Sequence, residues 1–562
     1  MTFKQSRNST PGLSRRMVLQ GAAAGATVLA TPNILRAASH GGIVRHSMTS
    51  PEGLQQMKTY RRAVDTMLSL DASDPHNWHR YALIHLMDCP HMNWWFFVWH
   101  RPYTGHFERI IRIYGEDPNF ALPFWDWSAK GDKRVPATML LSDNDPDNPL
   151  DPRSRKFPEW DEFEDKYHDV VEKQFDGFDD AQRAQLKTRG YPDFDSFWTG
   201  DPVKYLGVKP NFTNDRSRAR SKTFEAPDLT GSGLTSVQFD KYRAGLTTHN
   251  FVTTHIEIDG KPVTIGGLNT AETDTHHGDS QYGSLVEGQP HNLVHNNLGF
   301  SADVNYGWMP SLLSPVDPIF FMHHCNVDRL WDIWTRRQEL NNRSASPNAE
   351  QAKKYNPEAF LFYVDENKQP APTTAGASTD INPEWGYSYA DGTGSDLVRM
   401  DNHGEVLMAA RSGGLGNVPI SNQAGGAISV AIPSAMAMAV PQDETHQVAH
   451  ITIDPPRTLR GVRFDVFITP KGEQPDVSRD SVEFAGSAEF FGMGHSHGRD
   501  LGFSIDISEA LDRLEAAGAL QPGEAFDIAV ITARGEDAGS TENGAPQEAT
   551  LKSVSIETTS SG

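Results

Sequence analysis

Apolar positions after Ser50-Pro51 fall at helical spacing. Leu54, Met57, Val64, Met67 and Leu68 share roughly one face, and the Ser-Pro pair supplies an N-cap and a first helical position. A second helix is expected from about 97 to 114, ending at Gly115. Pro102 stands near its start, where a missing N–H does least harm. Two further helices are expected at about 290–298 and 318–340. Residues 116–280 are rich in Pro, Asp and Gly and read as loops with short helices, one of them near 180–186. Towards the C-terminus the period changes to alternation. Ile451 and Ile453, then Val462, Phe464 and Val466, then Phe526, Ile528 and Val530, then Val554 and Ile556 read as half-buried strands, interrupted by one helix at 508–516. Gly, Ser, Asn and Ala dominate from Arg411 to Gly426, so 411–435 is expected to be a linker. The pattern predicts a multidomain fold: a mainly α domain with long loops at 40–410, then an all-β sandwich at 436–562.

Length agrees, because 562 residues exceed one ordinary core. A net charge of −22 disfavours a nucleic-acid partner, which needs a basic face. Ser14-Arg15-Arg16-Met17-Val18-Leu19 carries paired arginines. A weakly apolar run from Gly21 to Ala30 and a small-residue stretch, Ala37-Ala38-Ser39, follow it. Residues 1–39 therefore read as a twin-arginine export signal, directing the protein to the periplasm or outside the cell. The apolar run is too short to span a bilayer, and no membrane partner is expected. With only Cys89 and Cys325 there is no disulfide framework.

The chemistry lies in histidines. His291 and His295 are four apart, on one face of a helix. Zinc proteases share that spacing but carry Glu directly after the first His, where this chain has Asn292. His323 and His324 sit in an apolar helix beside Phe320, Phe321, Leu330 and Trp331. Their rings point about 100° apart, so one is expected to ligate and the other to hydrogen-bond, with Asp317 and Asp328 as outer acceptors. His85, His91 and His100 form an earlier set around Trp94-Trp95-Phe96-Phe97-Val98-Trp99, with His76, His79 and His106 as competitors. Two imidazole sets in apolar surroundings point to a buried pair of metal ions. All-nitrogen donors suit copper, and zinc and iron also accept them.

These stretches resemble the tyrosinase and catechol oxidase (polyphenol oxidase) family of type 3 copper proteins. Leu83-Ile84-His85, Cys89-Pro90-His91 and Phe97-Val98-Trp99-His100-Arg101 resemble its first copper motif. Pro290-His291-Asn292-Leu293-Val294-His295 and the run from Asp317-Pro318 to Arg329-Leu330-Trp331 resemble its second. Leu122-Pro123-Phe124-Trp125-Asp126-Trp127 and the stretch Phe360–Asn367 resemble other family segments. Arg463–Phe467 and Glu483–Ser487 resemble the C-terminal domain of plant polyphenol oxidases.

The resemblance implies a four-helix bundle around a binuclear site of two copper ions. His85, His91 and His100 would hold one copper and His291, His295 and His324 the other, with dioxygen as co-substrate. It also implies a Cys89–His91 thioether crosslink. Glu287 and Asn292 are implied to orient a water that helps remove a phenol proton, and Glu287 also reads as a cap of the helix near Pro290. The expected partners are small phenols, o-diphenols and monophenols, oxidised to o-quinones. An o-aminophenol oxidase and haemocyanin-like oxygen binding are the alternatives. Plant relatives carry a bulky residue over the second copper where this chain has Ser311, so a more open site is expected, with Met309 or Leu312 as possible fillers. The C-terminal domain is expected to keep the enzyme latent, with Phe490, Phe491 or Met493 at the entrance and His495 and His497 close by.

Overall fold

The computed structural model describes residues 42–129, 135–198, 237–258, 261–278, 280–299, 307–381, 384–400, 411–421, 425–430, 445–456, 459, 462–492, 498–534 and 548–560. The export signal at 1–39, Met493, His495 and His497 lie outside them.

Four helical segments and one loop carry the histidines of interest. Helix α1 (Pro51–Ser69) starts at Ser50, whose side chain accepts the Gly53 N–H. Its buried face holds Met57, Tyr60, Val64, Met67 and Leu68, whereas Leu54 faces outward, 43% exposed. Helix α2 (Trp78–Asp88) carries His85, and α3 (Phe96–Tyr114) carries His100 and ends at Gly115. Helix α4 (Asn292–Gly299) is preceded by a π-helical turn, Glu287–His291, that includes Pro290. Proline has no N–H to give to the helical ladder, and wide turns of this kind recur at functional sites. Helix α5 (Ile319–Leu340) carries His323 and His324. Residues 116–280 contain the helix expected near 180–186, as Asp180–Arg189, and a longer one beyond the expectation, Trp160–Asp176; both begin with capping boxes.

The N-terminal end of the core is tied to its C-terminal end. Strand β1 (Ile43–Arg45) pairs in parallel with β2 (Tyr387–Tyr389). The Arg45 guanidinium lies 3.4 Å from the Tyr387 ring centroid and donates to Glu108 at 2.8 Å. Asp328 on α5 accepts from both tyrosine hydroxyls, each at 2.6 Å, and from Arg101 Nε at 2.8 Å. Asp328 is therefore a structural anchor and not a histidine acceptor. Asp317 accepts the Ile319 N–H at 3.1 Å, at the start of α5.

The C-terminal part is two four-stranded sheets packed on a shared apolar core. One sheet contains β4 (Gly426–Val430), β6 (Val462–Pro470), β7 (Phe484–Ala488) and β9 (Phe526–Arg534). The other contains β3 (Arg411–Ile420), β5 (Thr445–Asp454), β8 (Leu501–Asp506) and β10 (Ala549–Ser560). The expected linker is corrected here. Arg411–Ile420 is an edge strand paired with β10, and Gly426–Val430 pairs with β9. Their glycines allow close approach: a Cβ on Gly426 would lie 2.5 Å from the Ile420 side chain.

Helical core and sandwich belong to one unit, Ile43–Gly562. The exposed edge of β8 is covered by the core: Gly502 N donates to Gln281 O at 2.7 Å, and Gly283 N donates to Gly502 O at 3.0 Å. Such a cover removes an open ladder that would otherwise recruit another chain. Tyr282 lies so close that a Cβ on Gly502 would stand 2.1 Å from its ring. Its hydroxyl reaches His450 Nδ1 at 2.8 Å and Ser504 Oγ at 2.9 Å. Among the described residues no helix is long and apolar enough to cross a membrane.

Candidate metal centre

The fold brings both histidine sets together. Ligand-capable atoms of His85, His91 and His100 lie within 4.8 Å of one another, as do those of His291, His295, His323 and His324. The sets face each other, with the rings of His100 and His324 stacked at 4.2 Å between centroids. His76, His79 and His106 are elsewhere. His76 bonds the Asp365 carbonyl, His79 meets the Tyr167 hydroxyl, and His106 packs on Trp385.

Outer contacts fix the tautomers. His85 Nδ1 lies 2.7 Å from Leu312 O, His100 Nδ1 2.8 Å from Phe96 O, and His295 Nδ1 2.7 Å from Met309 O. A carbonyl only accepts, so each Nδ1 carries the proton and each Nε2 presents a lone pair. Yet Nε2 of His85 is 3.4 Å from Nε2 of His100, and Nε2 of His295 is 3.1 Å from Nε2 of His324. In the first pair two lone pairs face each other and cannot hydrogen-bond. In the second, an Nε2–H on His324 could bridge the gap only by leaving a lone pair on its Nδ1, which is buried with no partner among the described residues. Nitrogens about 2 Å from one ion at a tetrahedral angle stand roughly 3.3 Å apart. Nε2 of His91 and Nε2 of His291 are buried with no hydrogen-bond partner among the described residues, a cost of about 1–3 kcal/mol each unless a ligand is bound. The donor set fits metal ions.

Burial lowers the pKa of every one of these imidazoles, and neighbouring rings add to the fall for all but His100, where the Phe96 carbonyl and Asp328 oppose it. His100 and His291 fall to about 3, and His85, His91, His295 and His324 lie well below the ordinary histidine value. The rings are thus neutral, the form a metal needs. Phe96 lies 4.6 Å from His291 and Phe320 4.2 Å from His324, lining the site with apolar surface.

Both members of the His323-His324 pair enter the second set. His324 makes the short Nε2 contact, while His323 stacks on His291 at 5.3 Å and has neither ring nitrogen partnered among the described residues. Cys89 Sγ sits 3.5 Å from His91 Nδ1 and 3.3 Å from His85 Nδ1. Cys325 is buried away from the imidazoles, against the Leu122 carbonyl. Glu287 lies inside the π turn, and its Oε1 accepts the Met92 N–H at 2.6 Å; it does not cap a helix. Met92 directly follows His91 and has φ of +48°, strained for a non-glycine residue. Asn292 Oδ1 meets His291 Nδ1 at 2.9 Å, and its amide donates to Glu489 O at 3.2 Å.

The expected gate residues act differently. Ser311 is buried and donates its hydroxyl to Trp308 O. Met309 and Leu312 reach the histidines through backbone carbonyls. The space is filled from the sandwich by Phe491, which is 3% exposed and lies 4.2 Å from the His295 ring, 4.6 Å from His91 and 5.6 Å from His291. Phe490 stays in the sandwich core. Gly492, at φ +69°, turns the chain beyond Phe491, where a Cβ would stand 3.1 Å from Leu312.

Two facing imidazole sets in a helical core define a buried metalloprotein site. Residues 61–337 match the common central domain of tyrosinase. Among curated proteins, the (+)-larreatricin hydroxylase of Larrea tridentata is 24% identical over 496 residues, covering 82% of this chain and 71% of that protein. The polyphenol oxidase of Spinacia oleracea is 24% identical over 360 residues, covering 60% of this chain and 46% of its own length. The solved structure of latent apple tyrosinase superposes with a TM-score of 0.52 at 20% identity, covering 92% of this chain and 97% of that one. The chain belongs to the tyrosinase and polyphenol oxidase family, and is an oxidoreductase of the tyrosinase/catechol oxidase type.

Proposed function

We propose that the protein is an exported, latent polyphenol oxidase. It oxidises o-diphenols to o-quinones with dioxygen and hydroxylates monophenols, using two copper ions. The family supplies the coarser statement, a copper-type oxidase of phenols. The observation that supports two copper ions is the close approach of Nε2 atoms within each set, His85 to His100 at 3.4 Å, both bare, and His295 to His324 at 3.1 Å. His85, His91 and His100 hold one copper, and His291, His295 and His324 the other. Copper bound there supplies electron exchange between the phenol and dioxygen.

The remaining work falls to the chain. The carbonyls of Leu312, Phe96 and Met309 hold three ligand rings in one tautomer. Phe96 and Phe320 keep water from the site. Glu287, with Asn292, orients a water and takes the phenol proton once Phe491 has left. A Cys89–His91 thioether, formed with loss of two protons and two electrons and dioxygen as the oxidant, would fix the His91 ring; Cys89 Sγ lies 3.5 Å from His91 Nδ1 and 3.3 Å from His85 Nδ1. Export rests on the paired arginines Arg15 and Arg16 and the segment behind them.

Dioxygen uptake by the copper-loaded protein tests this reading. Truncation after Met400 removes all eight sandwich strands, and the truncated protein should consume dioxygen with catechol. No uptake with catechol, alongside rapid uptake with o-aminophenol, would move the assignment to an aminophenol oxidase.

A further inference from the structure

A third cluster lies outside the six histidines. His276 Nε2 and His277 Nε2 converge on one oxygen, Asp88 Oδ1, at 2.9 Å and 3.1 Å. The other ring nitrogens are held from outside: His276 Nδ1 lies 2.6 Å from Glu358 Oε1, and His277 Nδ1 2.9 Å from Gln185 O. The second Asp88 oxygen accepts Trp99 Nε1 at 2.8 Å. The side chains of Asp88, His276 and His277 are at most 1% exposed.

Protons alone serve this arrangement poorly. The Gln185 carbonyl only accepts, so His277 carries its proton on Nδ1. If His277 is neutral, its Nε2 lone pair points at a carboxylate oxygen. If it is charged, it is a second buried cation against His276, whose nitrogens both face carboxylates; the two ring centroids are 3.9 Å apart. Burial, and then His276, holds His277 down at about 4. The pair of Asp88 and Glu358 keeps His276 above its ordinary value despite its own burial. A divalent ion resolves the conflict: it accepts the His277 lone pair, neutralises Asp88 and displaces a proton from His276. Two imidazoles and one carboxylate, with the outer nitrogens tied to a carboxylate and a carbonyl, are the donors and outer contacts that such an ion uses.

We propose that Asp88 Oδ1, His276 Nε2 and His277 Nε2 bind one further divalent transition-metal ion, zinc by its donor chemistry, distinct from the copper pair. Its role is structural. Asp88 ends the helix bearing His85 and precedes Cys89-Pro90-His91, while His276 and His277 lead the chain towards Glu287 and His291. The ion ties these two segments together.

Zinc-soaked crystals of the full chain, measured on both sides of the zinc absorption edge, test the site. An anomalous peak between Asp88, His276 and His277 is expected. Its absence at zinc saturation overturns the proposal, whatever is found at the six histidines. In solution, His277→Gln should hold one zinc fewer per chain than the unaltered protein while keeping its copper; equal zinc in both also overturns it. The crystal of the unaltered chain decides if the variant does not fold.

Discussion

The ring of Phe491 lies 4.2 Å from the ring of His295, centroid to centroid, so a residue of the sandwich occupies the space over the second histidine set. A phenol approaching that set must displace it. Burying a phenylalanine side chain contributes about 2 kcal/mol, enough to weigh the balance towards the closed form. Phe491→Ala is expected to raise kcat/KM for catechol at least about tenfold, with the sandwich still attached. An unchanged value, measured by quinone formation, would show that closure rests elsewhere.

The same loop engages the amide proposed to hold water: Asn292 donates to the Glu489 carbonyl. Glu287 is proposed to act with it. Glu287→Gln, in the Phe491→Ala background, is expected to lower monophenol hydroxylation at least about tenfold more than catechol oxidation, within the usual range for a general base. Paired rate measurements on a monophenol and its catechol check this, and equal losses would remove Glu287 from the proton step.

The Glu489 carboxyl is pushed up to about 7 by burial, against the opposing pull of Arg463 and a hydrogen bond from Asn296; Asp465 adds to the rise. A raised carboxyl favours the docked state while protonated. That contribution is complete below the free value of 4.5 and is lost as pH rises through about 7. Docking of the sandwich should therefore loosen from pH 5 to 8, read as increasing protease sensitivity between core and sandwich. Glu489→Gln should flatten that profile.

Much of this site was legible in the sequence, and the misses have physical causes. The four-residue spacing of His291 and His295 and the apolar run around His323-His324 marked the second set directly. Helix α2 gave no periodic signal because it is buried on nearly every side. Trp160–Asp176 did carry one, with Phe163, Tyr167, Val171 and Phe175 four apart, but its Pro- and Asp-rich surroundings hid it. Strand β3 lacks the usual β-branched run, and only its pairing with β10 makes it a strand. Arg463 and Asp465, between the apolar positions of β6, are also buried and bonded to each other at 2.9 Å, so this strand is covered on both faces where alternation predicted a half-buried one. Asp88 lies almost 190 positions from the neighbours His276 and His277, and only the fold joins them.

Metal-free protein should be acid-sensitive. His100 and His291 titrate near 3 when folded, through burial first, against an ordinary value of 6.5. The unfolded chain binds these protons more readily, so their contribution is full above pH 6.5 and fades as pH falls towards 3. Thermal unfolding of the metal-free protein across pH 4–7 should show Tm falling with pH, and copper should raise Tm most at neutral pH. A flat profile would mean that the rings are hydrated and easily protonated.

Copper content tests the central claim most directly. The unaltered chain, loaded and then freed of loose metal, should hold two copper ions. His100→Ala and His295→Ala should each hold about one, because each breaks one set of three nitrogens. A single copper in the unaltered chain, or two retained in both variants, would contradict two facing histidine sites.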